Sequence, residues 1–574
     1  MITALNASSA RLVEADGLRL HVSPLDYTLL IGYFIIVIGI GLAARRAVAT
    51  SEDFFLSGRS LPGWITGLAF ISANLGAIEV LGNAANGAQY GISTVHFYWI
   101  GAVPAMLFLA LVMMPFYYGS RVHSVPEYLR RRFGKGAHLF NGLSFAAAGV
   151  LIAGVNLYAL AIVIRALLGW PLWIAILVAA AVVLAYIGVG GLSGAIYNEV
   201  LQFFVIVAGL VPLVAVGLVH VGGWSGLKHQ VSATPPLGGK ALATWAGTHV
   251  GTPTNPLGDW IGIILGLGFV LSFGYWTTNF AEVQRALSAK DLSAARRTSL
   301  IGAFPKVFIP ILTVLPGLLA LALLKDKIGK GPNAQYTYNE AIPYLIGRFL
   351  PNGVLGVALT GLLAAFMAGM AANISSFNTV WTYDVWRPYV VKDREDAYYL
   401  RHGRIITVVG IVISVGTAFI AARYSNLFNY IQLLFSFFNA PLFATFLLGL
   451  FWKRMTAAGG VWGLATGTLG AVVGHFLFVG ASFLGHAGPY ISISSGQSQN
   501  FYGAIIAFVS DLVVSIGVSL ATKPKTSAEL EGLVWGQAPT DLVDSSAGHW
   551  YTNVWWLSGI IAVLTVAMSV LVTA

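Results

Sequence analysis

The chain has 574 residues, of which 57% are hydrophobic and only 9% are charged, with a formal net charge of +10. A soluble globular protein carries about 25% charged residues, so this composition argues against a soluble protein and predicts an integral membrane protein. The lack of cysteine excludes disulfides and thiolate metal sites. The positive charge is expected on inner loops, so nucleic acid is not an expected partner.

Apolar runs long enough to cross a bilayer recur along the whole chain. A helical span needs about 20 predominantly apolar residues. The sequence predicts about fourteen spans, at 26–44, 64–85, 98–118, 140–168, 172–190, 197–222, 257–283, 301–324, 353–385, 404–422, 425–451, 459–480, 500–521 and 553–573. The more polar connections at 223–256, 325–352 and 523–552 are short for separate domains, so a single all-α membrane unit is expected.

The basic residues indicate the orientation of these spans. If the N-terminus is outside, the inner loops hold about two thirds of the 32 Lys and Arg residues. Because inner loops collect Lys and Arg, this bias predicts both termini outside, with 1–25 as an extracellular segment. The expected location is the plasma or inner membrane of a cell, which the chain crosses many times.

Five ionisable residues fall inside or near the ends of predicted spans. An ionisable group at the centre of a membrane helix costs about 2.5–3.5 kcal/mol on insertion scales, so each needs a reason. Glu79 and Lys306 are candidates for a transport site, with a purely structural ion pair as the alternative. Glu199 lies near a helix end, where a solvated residue is an equal alternative. His475 and Asp511 stand alone in their spans and are interpreted as structural.

Two spans contain helix-weakening residues at mid-depth. These are Asn74, Gly76, Gly82, Asn83 and Asn86 in the second span, and Gly266, Gly268, Ser272 and Gly274 in the seventh. Such glycines can simply allow close helix packing. Because a membrane helix can be broken where its backbone lines a cavity, the two interruptions together predict a midplane binding site between inverted repeats. The expected repeats are 64–222 and 257–451, with a leading helix at 26–44 and trailing helices over 459–574.

Several motifs occur in a fixed order along the chain. They are Ser51–Pro62, Gly190–Glu199 followed by Gln202, Gln284–Arg285, Pro316–Gly317 and Leu447–Arg454. Their order and spacing resemble the sodium/solute symporter family over about residues 26–480, and within it the bacterial sodium/galactose, or sodium/glucose cotransporter-like, branch. The resemblance implies a LeuT-like fold with one leading, ten core and three trailing helices, and transport by alternating access.

The resemblance also implies a solute site, formed by Glu79, Tyr98, Ser272, Tyr275, Lys306 and Gln432. Of these, Tyr275, Lys306 and Gln432 match the pattern of the sugar-transporting relatives. The other three replace residues of the galactose transporter, as does Gly101, which stands where that transporter has serine. A sugar is expected because its hydroxyls need paired donors and acceptors, although an amino-bearing solute could use Glu79.

A sodium site is implied as well, with ligands from Ser72, Leu75 and Ala365 and with support from Glu199. Ala368 and Gly369 stand where the family has two side-chain hydroxyls. Hard cations need a full shell of oxygens, so this loss predicts a weaker site unless water, the Ser72 hydroxyl or Glu199 completes the shell.

The sequence therefore predicts a secondary active transporter that carries a sugar or sugar-like solute together with sodium and needs no cofactor besides that coupling ion. Its expected partners are the small polar solute, the coupling cation and the lipid bilayer. A proton-coupled or uncoupled carrier of another organic solute, amino-bearing or carboxylate, remains an alternative, and a membrane solute sensor is a weaker one. An enzyme is not expected, because the chain shows no nucleophile–base pair, zinc-ligand spacing or phosphate loop.

Overall fold

The computed structural model of the protein describes residues 20, 22–45, 57–120, 122, 124–235, 237–247, 254–330, 332–480, 488–493, 495–535 and 552–573. Most of the expected extracellular N-terminal segment, part of the Ser51–Pro62 motif and much of the 523–552 connection lie outside these ranges. Within them the chain is helical almost throughout, which confirms the all-α prediction.

The described chain contains nineteen helices of eight or more residues. In chain order they are α1 (Pro24–Arg45), α2 (Gly63–Asn74), α3 (Ile78–Val95), α4 (Phe97–Tyr118), α5 (Val125–Phe133), α6 (Lys135–Leu168), α7 (Leu172–Val221), α8 (Gly223–Ser232), α9 (Gly262–Thr278), α10 (Phe280–Leu287), α11 (Leu292–Lys306), α12 (Ile309–Leu324), α13 (Ala341–Phe349), α14 (Val354–Tyr389), α15 (Asp396–Ala421), α16 (Leu427–Phe451), α17 (Ala457–Val479), α18 (Gly496–Ala521) and α19 (Val554–Thr573).

The membrane spans agree with the predicted ones in position. Among the described residues, eleven helices are long and apolar enough to cross a membrane, and two bent helix pairs raise the number to thirteen. The predicted spans at 172–190 and 197–222 differ in one respect, because α7 continues through the expected loop between them. That loop sequence contains no proline and no charge, and its glycines, Gly191 and Gly194, weaken the helix without ending it. α7 still contains both apolar stretches, Leu172–Ala185 and Gly194–Val221.

Both predicted spans are bent, although the second bend lies at Asn279, beyond Gly266, Gly268, Ser272 and Gly274, which stay within helical α9. The chain turns by 53° between α2 and α3, and by 47° between α9 and α10. The first bend lies at Gly76, where a side chain has no room: a Cβ there would come within 2.8 Å of Asn156 Oδ1 on α6 and 3.1 Å of Gly369 Cα on α14. At the second bend, extended Asn279 caps α10, because its Oδ1 accepts a hydrogen bond from the Ala281 N–H at 2.9 Å.

Small residues allow the bent helices to pack closely against their neighbours. α3 and α12 meet at Gly87 and Gly317, where a Cβ on Gly317 would overlap the Ala84 carbonyl oxygen and lie 2.9 Å from Gly87 Cα. Close backbone approach through glycine is a common way for membrane helices to associate, since lipid provides no hydrophobic drive between them. This contact holds α3 against α12.

We expect Gly317→Ala to destabilise the protein by about 1–3 kcal/mol, because the added methyl group overpacks the α3–α12 contact. The matched control is Gly416→Ala on α15, where a Cβ would meet nothing within 4 Å. There alanine should leave stability unchanged or raise it by up to about 1 kcal/mol, the helix propensity it gains over glycine. Melting temperatures of the purified proteins in detergent test this, and equal melting of the two variants would contradict the packing argument.

Candidate functional site

A cavity of about 70 Å³ lies at the two bends. Its lining includes Asn74, Gly76 and Glu79 from α2–α3, Ser272, Tyr275, Asn279 and Glu282 from α9–α10, Gly369 and Asn373 from α14, and Gln432 and Phe435 from α16. At roughly 10–15 Å³ for each water centre, it has room for about five water molecules. The bends therefore enclose a polar space, as the interrupted spans predict.

Glu79 and Lys306 form an ion pair beside this cavity. The Lys306 Nζ lies 2.8 Å from the Glu79 Oε1, with the lysine fully buried and the glutamate 13% exposed. Lys306 also donates a hydrogen bond to Asn74 Oδ1 and lies over the rings of Tyr98 and Trp276, with its Nζ 5.1 Å and 5.4 Å from their centroids. The buried ammonium is thus held by a carboxylate, an amide and two aromatic faces.

Tyr98 also holds the Glu79 carboxylate. Its hydroxyl donates to Glu79 Oε2 at 2.6 Å, and Asn83 Nδ2 donates to the Tyr98 oxygen at 2.8 Å and to Glu79 Oε2 at 3.2 Å. The Thr313 hydroxyl lies 2.7 Å from that of Tyr98. Of the predicted solute residues, Tyr98 and Lys306 do not line the cavity in the described structure. They fix the position of Glu79, which does.

Ser272, Tyr275 and Gln432 line the cavity, together with Glu79. The Tyr275 ring lies next to that of Phe435, with centroids 4.8 Å apart, so the two provide an aromatic wall. A Cβ on Gly101 would overlap the Ser272 hydroxyl. The Ser272 side chain on α9 therefore occupies the space beside Gly101 on α4.

The predicted sodium residues come from two helices that meet at the first bend. α2 ends at Asn74, so the backbone of Leu75 lies in the break. The Ala365 carbonyl oxygen of α14 lies 3.7 Å from the position of a Cβ on Gly76. The Ser72 hydroxyl is buried and has no hydrogen-bond partner among the described residues. The Ala365 carbonyl therefore lies beside the first bend, and sodium binding by Ser72, Leu75 and Ala365 stays a prediction.

Asn156 is a residue of this region that the sequence reasoning missed. Its Oδ1 accepts a hydrogen bond from the Ala77 N–H at 3.0 Å and so satisfies a backbone group that the bend frees. A Cβ on Gly369 would overlap that same oxygen. The asparagine amide therefore fills the space beside the position that lacks a hydroxyl. An asparagine inside the 140–168 span was the available signal.

Glu199 is held by Arg285. Arg285 Nη2 lies 2.6 Å from Glu199 Oε1, and its Nε donates to Oε2 at 3.3 Å, with both side chains fully buried. Glu199 does not line the cavity. Because both carboxylate oxygens accept from the guanidinium, support of a sodium ion by Glu199 stays a prediction that requires this pair to rearrange.

Glu282 is the second residue that the sequence reasoning missed. It lines the cavity, is 2% exposed and accepts a hydrogen bond from the Tyr275 hydroxyl at 2.6 Å. The signal was available, since Glu282 lies within the predicted span at 257–283 and the cost of a membrane carboxylate applies to it as well. By contrast, Asp511 accepts hydrogen bonds from Thr445 and Ser515 outside the cavity, in keeping with its structural interpretation.

Comparison with known proteins identifies the family. The model of the sodium:solute symporter family matches residues 54–467. The chain belongs to this family. It is 31% identical to the sheep (Ovis aries) sodium/glucose cotransporter 1, over 89% of this chain and 80% of that protein. It is 29% identical to the sodium/glucose cotransporter of Vibrio parahaemolyticus, over 75% of this chain and 81% of the relative.

A solved structure supports the fold of this family member. The substrate-bound, outward-open structure of a Na⁺-coupled sialic acid symporter matches 88% of this chain and 99% of its own, with a TM-score of 0.71 and 18% sequence identity. Together with the two bent helix pairs, this likeness gives the protein a LeuT-like fold. The cavity lies at the two bends of this fold.

We expect the Glu79–Lys306 pair to behave as one unit. Removing one partner should destabilise the protein by about 3–5 kcal/mol, because it leaves the other charge buried and unpaired. The double variant Glu79→Gln with Lys306→Met should therefore be more stable than either single variant. Melting temperatures of the three purified variants test this. Additive losses in the double variant would mean that the two charges do not stabilise each other.

Proposed function

We propose that the protein is a secondary active transporter, not an enzyme, which couples sodium entry to the uptake of a sugar or sugar-like solute by alternating access. The observation that carries this proposal is the cavity between two broken helices, which combines a held carboxylate, amides and an aromatic wall. Sodium/glucose cotransporters are among its relatives at about 30% identity, and they align over most of their own length.

The chemistry of the lining suits a polyhydroxylated ring. Each sugar hydroxyl needs both a donor and an acceptor, and the Asn74, Gln432 and Asn373 amides with the Glu79 carboxylate supply both kinds. The aromatic wall of Tyr275 and Phe435 can cover the apolar face of such a ring. Lys306 keeps Glu79 in position and offsets its charge, so a neutral solute can approach this carboxylate.

Sodium would bind at the first bend, with Leu75 and Ala365 supplying carbonyl oxygens and Ser72 its hydroxyl as well. Because one side of this site belongs to the bent helix and the other to α14, a bound cation would link the two helices. The same bend lines the solute cavity. Sodium and solute would therefore each favour the helix arrangement that binds the other, which is reciprocal coupling.

A smaller cavity continues from the first and supports an exit route. Ile152, Asn279 and Asn373 line both cavities, and the second adds Asn141 and Asn439. Asn141 Oδ1 and Asn439 Nδ2 are buried without hydrogen-bond partners in the described structure, so a polar solute could pair with them in passing. Asn141 lies near the start of α6, next to a basic segment, which is the inner side if both termini are outside, whereas Asn439 lies at the middle of α16.

Uptake into proteoliposomes tests the proposed function. We expect a labelled sugar from a panel of hexoses and amino sugars to accumulate when an inward sodium gradient is imposed, and not with an inward proton gradient. Liposomes without protein and the Lys306→Met variant are the controls. Accumulation driven by protons alone, or equal uptake with no gradient, would contradict sodium coupling.

The sodium site can be strengthened by design. Ala368→Ser adds a hydroxyl where the family has one, and a charge–hydroxyl contact of about 1–2 kcal/mol should lower the sodium concentration for half-maximal uptake by roughly 5–30-fold. Gly369→Ser is the contrasting variant, because its Cβ would overlap Asn156 Oδ1 and lie 3.0 Å from Gly76 Cα. It should lower the melting temperature instead. An Ala368→Ser protein that folds with unchanged sodium dependence would argue against this ligand position.

A further inference from the structure

The buried charges beside the cavity do not balance. Three carboxylates are present, from Glu79, Glu199 and Glu282, but only two basic side chains lie among them. Lys306 forms its ion pair with Glu79, and Arg285 with Glu199. Glu282 interacts with both cations only at longer range. With all three carboxylates ionised, this part of the described structure carries one more negative than positive charge.

Within the described structure, Glu282 uses only one of its two carboxylate oxygens in hydrogen bonds. Oε1 accepts from the Tyr275 hydroxyl at 2.6 Å and from Asn74 Nδ2 at 3.4 Å. Oε2 is buried and has no hydrogen-bond partner among the described residues. The Glu282 side chain is 98% buried and lines the solute cavity together with Asn279 and Asn373. The amide oxygens of these two asparagines are uncharged ligands of the kind that bind cations. A carboxylate oxygen, nearby amide oxygens and room for a ligand thus occur together.

An uncompensated buried carboxylate is expensive. Removing one ion from water costs several kcal/mol in proteins even after relaxation, unless a charge partner compensates. A cation that enters the cavity and contacts Oε2 would supply that partner and also restore the balance of three negative with three positive charges. Glu79 cannot take this role, because Lys306 and Tyr98 already engage both of its oxygens.

We propose that Glu282 binds one monovalent cation in the solute cavity, at a site separate from the sodium site at the first bend. The cation is either an ammonium group carried by the solute or an inorganic ion that accompanies a neutral solute. The proposal rests on the proposed function, because it takes this cavity as the place where cargo binds. It moves the recognition of an amino group from Glu79 to Glu282.

Cation-dependent melting of the purified full-length protein tests this binding directly. The probes are sodium chloride, methylammonium chloride and glucosamine, with glucose as the neutral analogue, all in choline chloride at constant ionic strength. We expect at least one cation to raise the melting temperature of the wild type. In Glu282→Gln, its half-saturating concentration should rise at least tenfold. The matched control is Asp511→Asn, a buried carboxylate outside the cavity, which should respond like the wild type.

The two sources of charge give different results. If the solute carries the cation, methylammonium and glucosamine stabilise the wild type more than choline does, and Glu282→Gln loses this response. If an inorganic ion binds, the ratio of charge to solute measured from reversal potentials in proteoliposomes falls by one in Glu282→Gln. Glu282→Asp, which keeps the charge, should retain part of either response.

The proposal is overturned if Glu282→Gln and the wild type respond alike to every cation and carry the same charge per solute. It is also overturned if no cation stabilises the wild type beyond choline, a result that does not depend on the variant folding. Sodium-driven sugar uptake that continues alongside either result would leave the proposed function intact. A cation response that depends on Glu282, in a protein that shows no sodium-driven uptake, would instead contradict the proposed function alone.

Discussion

A hydrocarbon environment offers no hydrogen bonds to backbone groups, and this constraint governs the two bends. Each break frees N–H and carbonyl groups that must find other partners or line a polar space. At the first bend, Asn156 accepts from the Ala77 N–H, and at the second, Asn279 caps the helix that follows. The carbonyls at the first break are then available to a cation. The polar cavity and the proposed ion site are both consequences of interrupting a helix in a membrane.

Buried charged groups also need partners in this environment, and leaving one unpaired costs more free energy than leaving a backbone group unpaired. Lys306 is fully buried, and its charge is compensated by Glu79, the Asn74 amide and two aromatic faces. Glu199 on α7 and Arg285 on α10 compensate each other in the same way. Each pair fixes the relative position of helices that are far apart in sequence. Glu282 lacks such a partner and faces the cavity, so cargo is the available source of its compensation.

Polar side chains occupy the space beside two glycines of the candidate sites. The Ser272 hydroxyl lies beside Gly101, and the Asn156 amide lies beside Gly369, so a Cβ at either glycine would overlap a polar atom. In both cases the polar group comes from a different helix. A position that carries no side chain in the sequence can therefore be polar in space.

The sequence by itself determined the all-α membrane class, the position of the spans, which two of them are interrupted, and the family, since these depend on local hydropathy, glycine placement and ordered motifs. It predicted about fourteen spans, and the described residues contain eleven to thirteen. It also indicated Glu79, Ser272, Tyr275 and Gln432, which line the cavity.

Only the tertiary structure decided which groups meet across distant helices. It paired Glu79 with Lys306, engaged Glu199 with Arg285, placed Tyr98 behind the carboxylate rather than in the cavity, and brought Asn156 to the first bend. Within the described residues, it also left Glu282 without a close ion pair, although Arg285 and Lys306 interact with it at longer range. The physical reason is that charge compensation and close packing are properties of neighbours in space, and a linear pattern of residues does not specify them.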